Sequence, residues 1–304
     1  HVSLVDALTA VQSASQGSFF PAWNSILPDL TKQEELGTAN ALSSSTWSVM
    51  LAFGAALGGI FSGVVGIYPA FIIDGLTFFI SAFILSRMPY EPEESLGDKS
   101  VMAAFRQYFD GLNYLRQHID ILVIALHKAV NGLLVVGVYQ VVQVTIAERH
   151  FPVGEGGSIS LGLLYFATGV GTGIGPILAR HIAGDRDRAI RIAIAFGYVA
   201  SLLGLYISST LASFEVVMIG TLLRGVGGGI VWVQGTQLLL QLLPNNVRGR
   251  VISTEFMLNT LGTAIASGVS GALLDTTGTV TSILQTNAVI LIVPIVLWSL
   301  WIMF

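Results

Sequence analysis

The sequence predicts an all-α, polytopic helical membrane protein with nine transmembrane helices, and three observations carry that reading. Hydrophobic residues make up 53% of the chain and charged residues 11%, with a mean hydropathy of +0.75. A water-soluble domain carries roughly a quarter of its residues as charges, so this chain has too few to cover itself in water. The apolar runs are long, about 20 residues or more, enough to cross ~30 Å of hydrocarbon as helix and too long for ~10-residue alternating strands. In lipid only helices and closed barrels satisfy the backbone. Finally, of 14 Lys and Arg, eleven fall in every second gap between apolar runs. These gaps hold Lys32; then Arg87, Lys99, Arg106 and Arg116; then Arg180, Arg186, Arg188 and Arg191; then Arg248 and Arg250. The alternate gaps, near Gly66, Pro152, Thr210 and Thr277, hold only Arg149, while Lys128 and Arg224 lie inside apolar runs. That alternation is the positive-inside pattern, which places the charged gaps and the C-terminus in the cytoplasm and begins the first span outside.

The spans are expected at about 1–20, 39–64, 67–86, 119–146, 157–180, 189–209, 214–243, 250–274 and 280–304. The gap at 87–118 differs in kind. It opens with the acidic stretch Pro89-Tyr-Glu-Pro-Glu-Glu-Ser-Leu-Gly97 and continues as an amphipathic helix with Val101, Phe105, Tyr108, Leu112 and Leu115 on one face. It reads as a cytoplasmic linker between residues 1–86 and a bundle at 119–304. A faint repeat supports two equivalent halves. Leu27-Pro28-Asp29 and Leu243-Pro244-Asn245 each precede a polar turn, a Gly/Ala/Ser-rich span, a short outer loop with Gly66 or Gly278, and an apolar span. Six spans follow the linker and three precede it, so equal halves imply three further spans before His1.

Net charge is −4 with dispersed basic residues, which gives no nucleic-acid footprint. There is no cysteine, so disulfides and thiolate metal sites are excluded. No His-Glu-x-x-His pattern or metal-spaced Asp pair is present, so neither an enzyme nor a cofactor or metal site is expected.

The polar residues inside spans are the candidate site. Arg224 lies about ten residues into the seventh span, where an intramembrane cation costs at least ~2.5 kcal/mol. Gly227, Gln234 and Gln241 follow on its face, with Gln237 nearby. Two roles fit Arg224: a cavity wall that contacts substrate or an acidic partner, and a structural ion pair between helices. Glu255, in the eighth span with Asn259 and Gly262 on its face, suits proton coupling, because desolvation disfavours a carboxylate's charged form. A gate salt bridge to Arg248, Arg250 or another cytoplasmic arginine fits it as well. Asp6, with Thr9, Ser13 and Gln16 on one face of the least hydropathic span, is a candidate cavity carboxylate or a solvated span end. The fourth span carries a stripe of Asn131, Val135, Tyr139 and Gln143 suited to a neutral hydrogen-bonding cavity, with His127 and Lys128 isolated from any metal spacing. Trp47 and Trp232 could stack on a planar solute or pack in the core. The glycine clusters Gly169-Val-Gly171-Thr-Gly173-Ile-Gly175 and Gly225-Val-Gly227-Gly-Gly229 sit within apolar spans, where close helix packing explains them better than phosphate binding.

Six plus six spans with a central cytoplasmic linker describe the major facilitator superfamily, and local sequence resembles that family. The stretch Phe19-Phe-Pro-Ala-Trp-Asn-Ser-Ile-Leu-Pro-Asp-Leu30 with Ala39-Asn40-Ala41-Leu42 resembles the region between the fourth and fifth spans of its enterobactin-exporter and macrolide-efflux branch. So do Ala70-Phe-Ile-Ile-Asp74-Gly-Leu-Thr-Phe78, Gly111-Leu-Asn-Tyr-Leu-Arg116 and Gln241-Leu-Leu-Pro244-Asn-Asn-Val-Arg248-Gly249-Arg250-Val251 at their family positions. Gly54-Ala-Ala-Leu-Gly58-Gly59 resembles the antiporter motif, with Ala55 in place of its proline and Met50 where an earlier glycine is usual. Gly184-Asp185-Arg186-Asp187-Arg188 resembles the second copy of the cytoplasmic Asp-Arg gating motif, at irregular spacing. The resemblance implies a facilitator fold lacking its first three spans, working as a monomer in the cell (inner or plasma) membrane. It implies proton-coupled efflux of an amphipathic small molecule, such as a drug, macrolide or siderophore, by alternating access. The substrate cavity would then draw on Asp6, Ser13, Trp47, Asn131, Tyr139, Arg224 and Gln234. Coupling or gating would draw on Asp6, Glu255, Asp185, Arg186, Arg188, Arg248 and Arg250. Import on the same fold, or a non-transporting membrane protein, are the alternatives.

Overall fold

The computed structural model describes residues 7–9, 11–12, 15, 46, 49–87, 101–184, 186–276 and 278–303. The first expected span, the Leu27-Pro28-Asp29 arm of the repeat and the acidic start of the linker fall almost wholly outside these residues. So do Asp6, Ser13, Trp47 and Asp185. The chain divides into two units, His1–Ser48 and Val49–Phe304, and nearly all of the described residues belong to the second.

In that second unit the described residues form nine helices in series. Helix α1 spans Met50–Val65, α2 Ile67–Ser86, α3 Val101–Gln117 and α4 Ile119–His150. Helix α5 spans Ser158–Ala183, α6 Asp187–Ser209, α7 Phe214–Leu242, α8 Asn245–Thr276 and α9 Val280–Met303. Seven helices are long and apolar enough to cross a membrane: α2 and α4 through α9. Their limits fall close to the expected spans, and α1 supplies the described part of the one expected at 39–64. This agreement has a simple cause. Bilayer thickness sets the length of each apolar run, and glycine or proline at the turns sets its ends. Gly66 between α1 and α2 sits at φ 109°, and Gly184 after α5 at φ 66°, conformations a side chain disfavours.

Glycine also sets how the helices pack. A Cβ at Gly171 would lie 2.3 Å from Leu222 O, and one at Gly229 2.6 Å from Thr172 O, so α5 and α7 touch backbone to backbone. On its other side α7 meets α6 the same way: a Cβ at Gly227 would lie 2.2 Å from Gly197 O. Both glycine clusters are therefore packing seams. Lipid tails are as apolar as leucine, so close van der Waals approach and hydrogen bonds, rather than hydrophobic burial, hold such helices together.

Helix α4 packs on α8. A Cβ at Gly132 would lie 2.6 Å from Asn259 O, and one at Gly137 2.3 Å from Thr263 O. Between these contacts α4 takes a single π turn, Gly132–Val136. Such turns re-aim the side chains on either side of them, here Asn131 before and Tyr139 after. The interior is lined by Ile124, Val135, Ile194, Tyr198, Val231 and Leu238, all buried. Away from it, Phe71, Phe79, Ile177 and Phe196 are exposed apolar side chains, as hydrocarbon-facing surfaces are.

Helix α3 is the amphipathic helix expected in the linker. Leu115 is fully buried in the core, a Cβ at Gly111 would touch Thr254 Oγ1 at 2.6 Å, and Asp110 pairs with Arg250 at 3.6 Å. The helix is thus seated on the first turns of α8.

Candidate functional site

Helices α4, α7 and α8 bring two groups of buried polar side chains into the second unit. The first surrounds Lys128 and Glu255. Lys128 Nζ lies 2.9 Å from Glu255 Oε1, and the two residues are 2% and 0% exposed. Lys128 also donates to Thr236 Oγ1 at 2.7 Å and stands 4.0 Å from the centre of the Trp232 ring. One ammonium therefore ties three helices: its own α4, α8 through the carboxylate, and α7 through the hydroxyl and the indole face. The cation–π contact contributes about 0.5–2 kcal/mol in a desolvated setting.

This arrangement revises one expectation. Glu255 pairs with Lys128, not with Arg248 or Arg250. Trp232 lies under the ammonium, with an edge contact to Phe256, which is a structural use of the ring. Pairing on α4 explains how a carboxylate about ten residues into α8 is accommodated: an intramembrane charge is stable only when paired or wet. Neighbouring His127 is also buried. Its Nδ1 meets Ile124 O, its backbone carbonyl accepts from Tyr198 Oη, and its ring packs on Trp298 at 4.9 Å.

The second group lies around Arg224. Arg224 precedes Trp232 by eight residues on α7, ~12 Å along the axis at 1.5 Å per residue. It is 6% exposed. Its Nη2 donates to Thr168 Oγ1 of α5 at 2.9 Å, and its guanidinium carbon lies 4.4 Å from the centre of the Tyr139 ring of α4. Tyr139 Oη is hydrogen-bonded to Thr221, one turn before Arg224. Among the described residues Arg224 pairs with no carboxylate, and its Nε has no partner.

Other expected residues divide. Asn131, Gln143 and Gln234 are buried, each with a side-chain oxygen lacking a hydrogen-bond partner among the described residues, as is Asn259 Oδ1. Buried amide oxygens of this kind are what a solute or water can meet. In the antiporter-like motif, Gly59 is tightly placed: a Cβ there would lie 2.6 Å from Ser158 O and 2.7 Å from Gly162 Cα of α5. Gly54 and Gly58 have no described atom within 4 Å of a Cβ, so they take no part in that seam. Arg248 donates to Leu240 O and Leu243 O, both at 3.2 Å, and so caps the end of α7. Arg186 and Arg188 are exposed and pair with no carboxylate among the described residues. Their neighbour Arg191 pairs with Asp187 at 2.8 Å and lies over the Trp301 ring at 4.1 Å, a contact that no local sequence pattern indicated. No cluster of three or more His, Cys, Asp or Glu occurs among the described residues.

Long apolar helices packed through glycine around buried, hydrogen-bonding side chains define a polytopic helical membrane protein. The family model described as Major Facilitator Superfamily matches residues 4–211, and the chain belongs to that superfamily. It is 25% identical over 298 residues to the "Uncharacterized MFS-type transporter YfiS" of Bacillus subtilis, covering 95% of this chain and 69% of that protein. It is 25% identical over 252 residues to the "Uncharacterized MFS-type transporter y4rN" of Sinorhizobium fredii, covering 82% of this chain and 60% of that protein. It is 26% identical over 266 residues to the "Putative bacilysin exporter BacE" of Bacillus amyloliquefaciens, covering 86% of this chain and 63% of that protein. The chain thus spans under two thirds of the length of y4rN and BacE.

Proposed function

We propose that the chain is part of a secondary active transporter that exports an amphipathic small organic molecule by alternating access, driven by inward proton flow. The observation that carries the coupling reading is the Lys128–Glu255 pair: two opposite charges, both buried, 2.9 Å apart and joining α4 to α8. A proton on Glu255 would compete with Lys128 for the carboxylate. Protonation then favours whichever arrangement of α4 and α8 tolerates a broken pair, and a ligand shifts an equilibrium only through such differential stability. Asp6 is the companion carboxylate on the first span. Export is favoured by the match to a protein named as an exporter and by the resemblance of 54–59 to the antiporter motif. In this reading residues 1–86 belong to one bundle, 87–118 link it to the 119–304 bundle, and the α1–α5 seam at Gly59 and Gly162 is where the bundles meet and rock. The transporter works as a monomer in the cell membrane with its C-terminus cytoplasmic, in the enterobactin-exporter and macrolide-efflux branch.

The test is flux in proteoliposomes holding the full-length gene product, with rhodamine 6G as the probe and an imposed pH gradient. Dye should move against the proton flow, and Glu255→Gln should lower the gradient-driven rate roughly tenfold or more while dye equilibration persists. Glu255→Gln and Asp6→Asn variants that each keep the full gradient-driven rate would defeat the coupling assignment. Dye moving with the protons would reverse the direction.

A further inference from the structure

Arg224 and Lys128 are both buried cations on facing parts of one bundle, but only Lys128 has a carboxylate partner among the described residues. A guanidinium stays protonated inside proteins. Among the described residues its charge, at 6% exposure, is met by the Tyr139 ring face, the Thr168 hydroxyl and the nearby Tyr165 phenol, none of which carries a full opposite charge. Among the described residues Nε is left without a partner, so a hydrogen-bond donor of the planar fork is unused there.

Thr168 on α5 and Tyr139 on α4 hold the guanidinium from two different helices, and Thr221 fixes the Tyr139 hydroxyl. The side chain is therefore oriented without being neutralised, which is how a recognition arginine differs from an arginine in a structural ion pair. A guanidinium matches a carboxylate with two parallel N–H···O bonds. A single negative charge also leaves no net buried charge behind, whereas a phosphate dianion would leave an excess of one.

We propose that Arg224 is the carboxylate-binding residue of the transport site, and that the solute carried is an amphipathic organic monoanion with its carboxylate seated on Arg224 beside Thr168. The Tyr139 ring forms the floor under the guanidinium. This assignment rests on the transporter reading above and narrows it from amphipathic molecules in general to carboxylates.

The experiment compares two probes with one apolar body, N-dansyl-glycine and N-dansyl-glycinamide, titrated against the full-length protein in nanodiscs by dansyl fluorescence. The carboxylate should bind at least roughly tenfold tighter than the amide, the scale of a charge-assisted hydrogen-bond pair. Arg224→Gln should bring the two affinities together. Arg224→Lys should keep part of the preference, since it retains the charge but not the fork. Thr168→Val leaves the guanidinium in place and should reduce the preference severalfold, which reads the same site without deleting a charge. Equal affinities in the unmutated protein, binding of neither probe, or a preference that survives Arg224→Gln would overturn the proposal. Failure here is separable from failure of the transporter reading. Flux of rhodamine 6G, which carries no carboxylate, can persist without any carboxylate preference, and carboxylate binding without flux of any probe would instead remove the transport function.

Discussion

Lys128 and Arg224 solve the same problem in different ways. Each is a cation buried between α4 and α7, and each stands over an aromatic ring: Trp232 at 4.0 Å for Lys128, Tyr139 at 4.4 Å for Arg224. Each also donates to a threonine on a neighbouring helix, Thr236 or Thr168. The difference is Glu255. Lys128 has an internal counter-charge, and Arg224 has none among the described residues. An aromatic face and a hydroxyl therefore make up the common cradle of a cation here, and the carboxylate is the variable part. A pair with its own counter-ion is suited to being broken and remade. A cation without one is suited to receiving a charge from outside.

The largest expected effect tests the paired side of this contrast. Lys128→Met should destabilise the protein by about 3–5 kcal/mol, because removing one partner leaves the other charge buried and uncompensated. Glu255→Met should cost a similar amount by leaving the ammonium. The double variant should recover most of the loss, since replacing a buried pair by apolar residues is often neutral. A thermal-unfolding double-mutant cycle in detergent reads all three. Additive single effects would mean that the two charges are not coupled, and the contrast with Arg224 would collapse.

The α1–α5 seam comes next, because it is where the proposed rocking would be resisted. Gly59→Val puts methyl groups into the space held by Ser158 O and Gly162 Cα. Overpacking of this kind costs about 1–3 kcal/mol. Gly58→Val, which meets no described atom, should cost less on both stability and flux. Equal effects at 58 and 59 would show that the seam is not what separates them.

Much of the fold was legible in the sequence. Span limits such as Ile67–Ser86 and Asp187–Ser209 come from run length and flanking glycines or charges, which are local properties. The glycine clusters read correctly as packing seams because they interrupt apolar runs. The partner of Glu255 did not read. Lys128 is far away in sequence, and nothing local says which faces of α4 and α8 meet. A signal did exist: in the 119–304 stretch Glu255 is the acid set deepest in an apolar run, and an intramembrane charge must be paired or wet. That rule points to Lys128 as readily as to the arginines at the inner end of α8. Arg191 over Trp301 was missed for a related reason, since it needs α6 and α9 to be neighbours. That Arg224 has no carboxylate partner among the described residues could not be read at all, because absence of a partner is a property of the assembled bundle.

The smallest expected effect is the sharpest test of the contrast. Arg224→Met should change stability by no more than about 1 kcal/mol, in either direction. The variant loses one hydrogen bond to Thr168 and a cation–π contact, each worth roughly 0.5–2 kcal/mol. It also loses the desolvation cost of a buried cation, at least ~2.5 kcal/mol on insertion scales. These terms oppose one another, and no described carboxylate is left orphaned by the change. Thermal unfolding measured beside Lys128→Met checks it. If Arg224→Met fell as far as Lys128→Met, the contrast between a paired and an unpaired cation would be wrong. A near-neutral result leaves the cost of burying Arg224 unanswered by the protein itself, which is the condition under which a bound carboxylate gains most from meeting it.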